Sequence, residues 1–431
     1  MAAAIEGMSG ELDIFEKPVI QTGIVGGNWY QFKPITPVAD GNQITFSVSG
    51  QGDQYVDLAR TLLNLKIQIL KADGTVFPAT DNVGPVNNIF DTVFSNVQVD
   101  FNQKRVSDSR NLYHYRAYLE DLFNFNETAK GTHMSASLWY QDLPGEFDSA
   151  ANPSFIKRRN MCAGGKVLDL AGQLHCDLFN TSKFLLNDVD IRITLTKNNV
   201  GVCLLGEANT QAKIKILDAT LWMRKARINP SILLAHAKSL NHHTAKYPYK
   251  RVEMHHHTIP QGTQQQTIEN LFLGRIPSRL MVGFVEHAAF SGAMNKNPFN
   301  FQNFGLNHLA IFKCGEQVSS RPYNPVFGQN NPSYVIPYIM SFFGTGNHLA
   351  DDGYCVNLEG WQHGYCIYPF DLTHDLSAHE QHWCIQEQGN LRMEVGFDNA
   401  LTAAVTVIIY AEFREVMEID KNRECSMEYT K

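Results

Sequence analysis

Val97-Gln98-Val99-Asp100-Phe101-Asn102-Gln103-Lys104-Arg105-Val106 has a counterpart in Leu309-Ala310-Ile311-Phe312-Lys313-Cys314-Gly315-Glu316-Gln317-Val318. In each, a strand-like run reaches a polar turn and restarts toward a valine. Further matches follow in the same order at an offset of roughly 200–220 residues, the signature of an internal duplication. Pro85-Val86-Asn87 aligns with Pro298-Phe299-Asn300, Ala117–Phe123 with Pro337–Phe343, and Val167–Leu170 with Tyr368–Leu372. Two strands then close each half: Val189–Leu195 with Ile214–Ile228, and Leu391–Phe397 with Val405–Ile419. The offset drifts only between elements, where added loop residues cost little.

The segments around this duplication are strands. Ile44–Val48, Leu63–Ile69 and Val97–Phe101 alternate apolar and polar residues, as half-buried antiparallel strands do. Val405-Thr406-Val407-Ile408-Ile409-Tyr410 is the richest β-former in the chain and belongs in a sheet interior. Two helices are expected. One lies within Asn111–Phe125, where Leu112, Tyr115, Leu119 and Leu122 share a face. The other follows Asn229-Pro230, a cap residue with proline in the first turn. About eight strands in each half of about 180 residues suit a jelly roll better than an immunoglobulin domain of about 100 residues. The expected fold is all-β: two tandem eight-stranded jelly rolls with a few short helices. Its parts are an N-terminal arm (1–40), jelly roll 1 (41–228), a linker helix (229–246), jelly roll 2 (247–420) and a C-terminal tail (421–431).

Composition narrows the function. The 431 residues are 44% hydrophobic and carry a net charge of −7, which argues for a packed core and against an electrostatic coat for nucleic acid. No run nears the roughly 18 apolar residues of a membrane span, and the first residues lack the basic–apolar order of a secretory signal. Eight cysteines without a CxxC spacing read as reduced, buried thiols.

Catalytic motifs are missing: there is no GxSxG, no GxxxxGK[ST] and no GxGxxG after a strand. His379-Glu380-Gln381-His382 is one residue short of HExxH, and a strand setting is expected for it. His242-His243, His255-His256-His257, His374, His379 and His382, the last three near Asp371 and Asp375, are read as surface or interface histidines able to make an assembly pH-sensitive. No metal, cofactor or catalytic residue is expected. The carboxylate pairs Asp351-Asp352 and Glu120-Asp121 are read as ordinary acidic residues, and Gly50-Gln51-Gly52 as a turn. The basic groups Lys157-Arg158-Arg159, Arg224–Arg227 and Lys246–Arg251 are read as salt-bridging between subunits or as a weakly basic inner face. Asn126–Asn160 has the composition of a long insertion that contacts neighbours.

Several strings carry a family resemblance: Gly50–Leu58 (GQGDQYVDL), Tyr115–Glu120 (YRAYLE), Asp177-Leu178-Phe179, Leu185-Leu186-Asn187, Thr244–Pro248 (TAKYP), Glu269–Gly274 (ENLFLG), Lys296–Phe301 (KNPFNF) and Tyr410–Phe413 (YAEF). With them the chain, from about Glu11 to Arg423, resembles the double jelly-roll major capsid proteins of polinton (maverick) elements and adintoviruses. The resemblance implies a virion protein, made inside the host cell, whose homotrimers form pseudo-hexagonal capsomers of six rolls. These join neighbouring capsomers and penton or minor capsid proteins in an icosahedral shell around double-stranded DNA, with no sequence-specific nucleic-acid binding. The alternatives are a penton or minor capsid protein, which usually needs one roll, and a jelly-roll carbohydrate-binding protein or enzyme. Candidate assembly contacts are Tyr113, Tyr115, Phe301, Phe304, Phe342 and Phe343. Ile24-Val25-Gly26-Gly27 resembles the (Met/Ile/Leu)-x-Gly-Gly site of adenovirus-type maturation proteases, which makes Gly27 a candidate processing site. A plain turn is the preferred reading there.

Overall fold

The computed structural model describes residues 14, 17, 20–38, 41–50, 52–328, 331–348 and 353–427. Its first half contains β1 (Ile24–Phe32), β2 (Gln43–Val48), β3 (Gln54–Lys71), β4 (Phe94–Phe101), β5 (Lys104–Asp108), β6 (Val167–Gly172), β7 (Ile191–Lys197) and β8 (Ala212–Ile228). Hydrogen bonding orders them β1-β8-β3-β6 in one sheet and β2-β7-β4-β5 in the other. The second half runs through β9 (Ala245–Ile259), β10 (Gln265–Arg275), β11 (Arg279–Glu286), β12 (Leu306–Lys313), β13 (Glu316–Gln317), β14 (Ile367–Asp371), β15 (Gln388–Phe397) and β16 (Val405–Ile419). Its sheets are β9-β16-β11-β14 and β10-β15-β12-β13. Position for position, the two orders are identical. This is the antiparallel jelly roll, built twice.

The hairpins that open the sequence argument occupy matching places. β4 and β5 meet at Phe101 opposite Lys104, and β12 and β13 at Lys313 opposite Glu316. All four turn residues have positive φ: Asn102 44° and Gln103 68°, Cys314 53° and Gly315 86°. That is the two-residue turn whose twist suits a β-hairpin. The turn amides also match, since Asn102 N–H donates to Asp190 and Cys314 N–H to Asn390, each at 3.0 Å.

Val405–Tyr410 is buried throughout and paired on both sides, by β9 and β11. A β-branched run of this kind is safe only with both edges occupied. The duplicated Ala117–Phe123 and Pro337–Phe343 segments are helical in both halves, as α1 (Tyr113–Asn124) and its counterpart (Val335–Thr345). Between them in chain order come α2 (Pro153–Cys162) and α3 (Pro230–Ser239), so the counterpart of α1 is α4. Asn229 caps α3 by accepting a hydrogen bond from the Ser231 amide, with Pro230 in the first turn.

Two boundaries depart from expectation. Residues 24–32, assigned to an arm, form β1 and pair with β8 from Ile24–Ile228 to Phe32–Leu221. In the tail, β17 (Cys425–Met427) adds to β16. Asp351-Asp352, Gln51 and residues 1–13, 15–16, 18–19 and 39–40 of the arm lie outside the described residues. Among the described residues, no helix is long and apolar enough to cross a membrane.

Candidate functional site

Eleven of the twelve residues of α1 are buried, although its sequence includes His114, Arg116, Glu120 and Asp121. This helix belongs to the first roll but packs on the second. Tyr118 stacks on Phe299 with ring centres 4.1 Å apart, Tyr115 meets Phe290, Phe299 and Phe301, and Phe123 stacks on Tyr354. In return, Met417, Ile419, Cys425 and Met427 from the end of the second half lie in the first roll's core. Each roll therefore completes the other's apolar surface.

The charges of α1 are satisfied at this junction. Arg116 pairs with Glu120 at 2.9 Å and Asp177 at 2.7 Å. His175 reaches Glu120 at 2.6 Å and Asp121 at 3.3 Å, and Asn88 donates to Asp121 at 2.7 Å. From the second roll, Tyr410 donates to Glu120 and the Val252 amide to Asp177. Burial by itself would raise the Glu120 carboxyl, but Arg116 and His175 outweigh it and hold the group at about 2. Burial would likewise discharge His175, yet Asp121 and Glu120 keep its pKa well above the ordinary value. Asp91, which accepts from Tyr113 at 2.8 Å, is pushed up to about 7, chiefly by burial. Arg116, Glu120, His175 and Asp177 were not among the candidate contacts. Their signal was indirect: Tyr115–Glu120, Asp177, Lys296–Phe301 and Tyr410–Phe413, which carried the family resemblance, converge here.

α4 is placed differently. Val335, Ile336, Ile339, Met340 and Phe343 form one helical face, with each side chain between 38% and 67% exposed. The helix contains no charged residue. Of the candidate contacts, Phe343 lies on this face, and Phe342 and Phe304 are half-buried. Tyr113, Tyr115 and Phe301 are fully buried within the chain, so the expectation that they touch another chain fails: their rings fill the junction and the cores.

Other expected features move as well. Arg158 is buried and ion-paired with Asp142 at 2.7 Å, Arg224 pairs with Asp57 at 2.8 Å, and Arg251 pairs with Glu253 and Glu415. These arginines are thus neutralised inside the chain and not between subunits. Glu120-Asp121 belongs to the junction. The insertion after α1 clasps the second roll, with Asn297 donating to Asp142 and Tyr365 to the Asp142 carbonyl. Ile24-Val25-Gly26-Gly27 is edge strand, with Gly27 opposite Ala226, where a turn was preferred. His379–His382 lies in an irregular connection, neither strand nor helix. Cys314 is exposed because it occupies a hairpin turn.

In that irregular connection the side chains of Asp375, His382 and Cys384 come together, with one ligand-type atom from each within 4.8 Å of the others. The His382 Nε2 lies 2.8 Å from one Asp375 oxygen, and the Cys384 thiol donates to the other at 2.9 Å. Those two contacts and a hydrogen bond from Ser377 hold the Asp375 carboxyl well below the usual range.

No protein-family model matches the chain. An uncharacterized protein of Caenorhabditis elegans is 23% identical over 389 residues, 87% of this chain and 90% of that protein. Solved structures share the fold. A chain in the cryo-EM structure of the Sputnik virophage superposes with a TM-score of 0.66 at 11% identity, covering 99% of this chain and 93% of its own. The PBCV-1 virus capsid gives 0.60 at 11% identity, covering 96% and 99%. The major capsid protein of mavirus gives 0.55 at 12% identity, covering 99% and 95%. The likeness spans both rolls and the junction between them.

Proposed function

We propose that this chain is a major capsid protein that trimerises into pseudo-hexagonal capsomers and builds the icosahedral shell of a double-stranded-DNA virus or element of the polinton or adintovirus kind. Penton or minor capsid proteins are its further partners, and complementarity of surfaces, not turnover, is its activity. The observation that carries this reading is the unequal fate of two equivalent helices. Inside the chain, the first roll hands α1 to the second roll. The second roll carries the corresponding helix at the same point in its chain order, α4, with an apolar face that the described residues leave 38–67% exposed. Repeating the internal contact between chains lets α4 dock on the first roll of a neighbour. Three such steps close a ring of six rolls, as a heterologous contact with closing rotation does.

The acceptor follows from the same equivalence. Phe290 and Phe299, which receive α1, lie in the connection between β11 and β12. The corresponding connection of the first roll spans residues 72–93 and exposes Val76. Burying the outward halves of five apolar side chains on α4 contributes on the order of 5 kcal/mol per contact. Obligate interfaces of this type bury above roughly 2,000 Å².

Light scattering on the purified chain tests the proposal. Wild type is expected at three times the 48.6 kDa chain mass, with hexagonal outlines in electron micrographs. Ile336→Asp combined with Met340→Asp is expected to give a folded monomer with an unchanged circular-dichroism spectrum. A monomeric wild type at micromolar concentration, or a double variant that keeps the wild-type mass, overturns it.

A further inference from the structure

We infer that Asp375, His382 and Cys384 form a binding site for a divalent transition-metal ion of the zinc type. The site stands on its own geometry and does not rest on the capsid reading.

The three donors lie on one connection, residues 372–387 between β14 and β15, and all belong to a single ten-residue stretch. A thiolate, an imidazole and a carboxylate are the ligand types that zinc accepts, at about 2.3 Å to sulfur and about 2.0–2.2 Å to nitrogen or oxygen. Here the sulfur and the imidazole nitrogen each touch a different oxygen of the same carboxylate, at 2.9 and 2.8 Å. Replacing these two hydrogen bonds by a shared ion asks for side-chain shifts of only about 1 Å, given those bond lengths. Proton balance is simple. The hydrogen that Cys384 donates to Asp375 leaves as a proton, the imidazole binds neutral through Nε2 with its hydrogen on Nδ1, and thiolate and carboxylate together neutralise the ion. A fourth position stays open to water.

Another cluster of such groups among the described residues sets the contrast. Asp91, Asp121 and His175 also approach within 4.8 Å of one another. Asp91 and Asp121 are buried and His175 nearly so, and Tyr113, Asn88 and Glu120 already occupy their polar atoms. An ion there would have to displace the junction's own partners. Asp375 and His382 are exposed and Cys384 is half-buried, so an ion reaches them without unfolding anything.

The connection also has a structural use for a clip. Its 16 residues form no regular element, yet they support both neighbours. Arg414 of β16 donates to the Ser377 and Glu380 carbonyls at 2.9 and 2.8 Å. The His379 ring packs against Gly346, the residue that ends α4 and whose φ is 79°. Cross-linking Asp375 to Cys384 restricts a long connection against which α4 rests, in the way that metal binding couples to local folding.

Cobalt(II) reports the site directly. Full-length, tag-free protein is stripped with a chelator, kept reduced and titrated with Co²⁺. One equivalent is expected to produce a thiolate-to-cobalt charge-transfer band with the strong visible bands of a tetrahedral ion, and Zn²⁺ should bleach both. Cys384→Ser should abolish the charge-transfer band, and His382→Ala should weaken apparent affinity at least tenfold. Both variants should elute like wild type, since neither residue is in a core. A wild-type protein with no such band overturns the site. So does a band that survives in Cys384→Ser, which would place the thiolate ligand elsewhere, for example at the exposed Cys314.

Discussion

α1 and α4 descend from the same place in a repeated fold and have opposite chemistry. The buried helix carries Arg116, Glu120 and Asp121, while the exposed one carries no charge. Counting buried charge alone, the reverse would be expected. If α4 docks between chains as proposed above, what differs is when each helix meets its partner. The receiving surface of α1 is tethered to it in the same chain, so every ion pair can form as the chain folds. A charge buried there is tolerable because its counter-charge is always present. In the proposed assembly, α4 faces water until another chain arrives. On that helix a charge would have to be desolvated at each encounter, whereas an apolar face gains by the same event. Specific ion pairing thus marks the permanent junction, and in the proposed assembly an apolar stripe marks the contact made between chains.

The sharpest way to break this contrast is to remove a charge from the permanent junction. Arg116→Met leaves Asp177 buried without its cation and Glu120 with His175 alone, and is expected to cost about 3–5 kcal/mol of folding stability. The fall should show as a lower midpoint in guanidinium unfolding of the full chain. On the other helix, Ile336→Asp alone should move the same midpoint of the dissociated chain by no more than about 0.5 kcal/mol. Similar losses from the two substitutions would mean that α4 is packed within its own chain and that the contrast is false.

The repeat itself was open to reading because its signals are local. Alternation in β4, polar turns at Asn102-Gln103 and Cys314-Gly315, and the β-branched run of β16 each depend on neighbours in sequence. β1 was missed for a local reason too: Gly26-Gly27 interrupts the alternation of an edge strand, and its register is set by β8, about 200 residues away. The junction was beyond any local rule. Tyr410 and Glu120 are 290 positions apart, and nothing in either segment announces that a tyrosine and a carboxylate will share a hydrogen bond. Asp375, His382 and Cys384 are close in sequence, but their spacing matches no metal motif, and an irregular connection has no periodicity from which to infer that they converge.

A second, smaller effect sharpens the account of the junction through pH. His175 has a folded-state pKa well above its unfolded value of 6.5. Its contribution is therefore complete below about pH 6.5 and is lost as pH rises through the folded pKa. Asp91 is raised from 3.8 to about 7. It holds more protons folded than unfolded across that interval, so it too lowers stability as pH rises, up to about 7. Between pH 7 and about 8 the remaining loss belongs chiefly to His175, with a slope of at most about 1.4 kcal/mol per pH unit for one group, and from about pH 8 the buried thiols, which burial also raises, add to it in both proteins. The melting temperature of the wild type should therefore decline between pH 7 and 9. In His175→Gln, which starts lower, the decline should flatten. An equal slope in both proteins would remove His175 from the charged junction.

The least costly test returns to the two hairpins, which the duplication makes into a matched pair with unmatched residues. The second turn position is Gln103 at φ 68° in one roll and Gly315 at φ 86° in the other. A side chain in this left-handed region is held at a cost of about 1–2 kcal/mol, which glycine avoids, while glycine itself loses about 0.5–1 kcal/mol more in chain entropy on folding. Gln103→Gly should therefore stabilise the first hairpin by about 0.5 kcal/mol, and Gly315→Gln should destabilise the second by a similar amount. Both changes should appear as opposite shifts in amide exchange along β4–β5 and β12–β13, without a change in the junction. If the two turns are the same device, the shifts will be near mirror images. A loss at both sites would show that Gln103 is held by contacts peculiar to the first roll, and that the repeat has diverged even where its backbone still agrees.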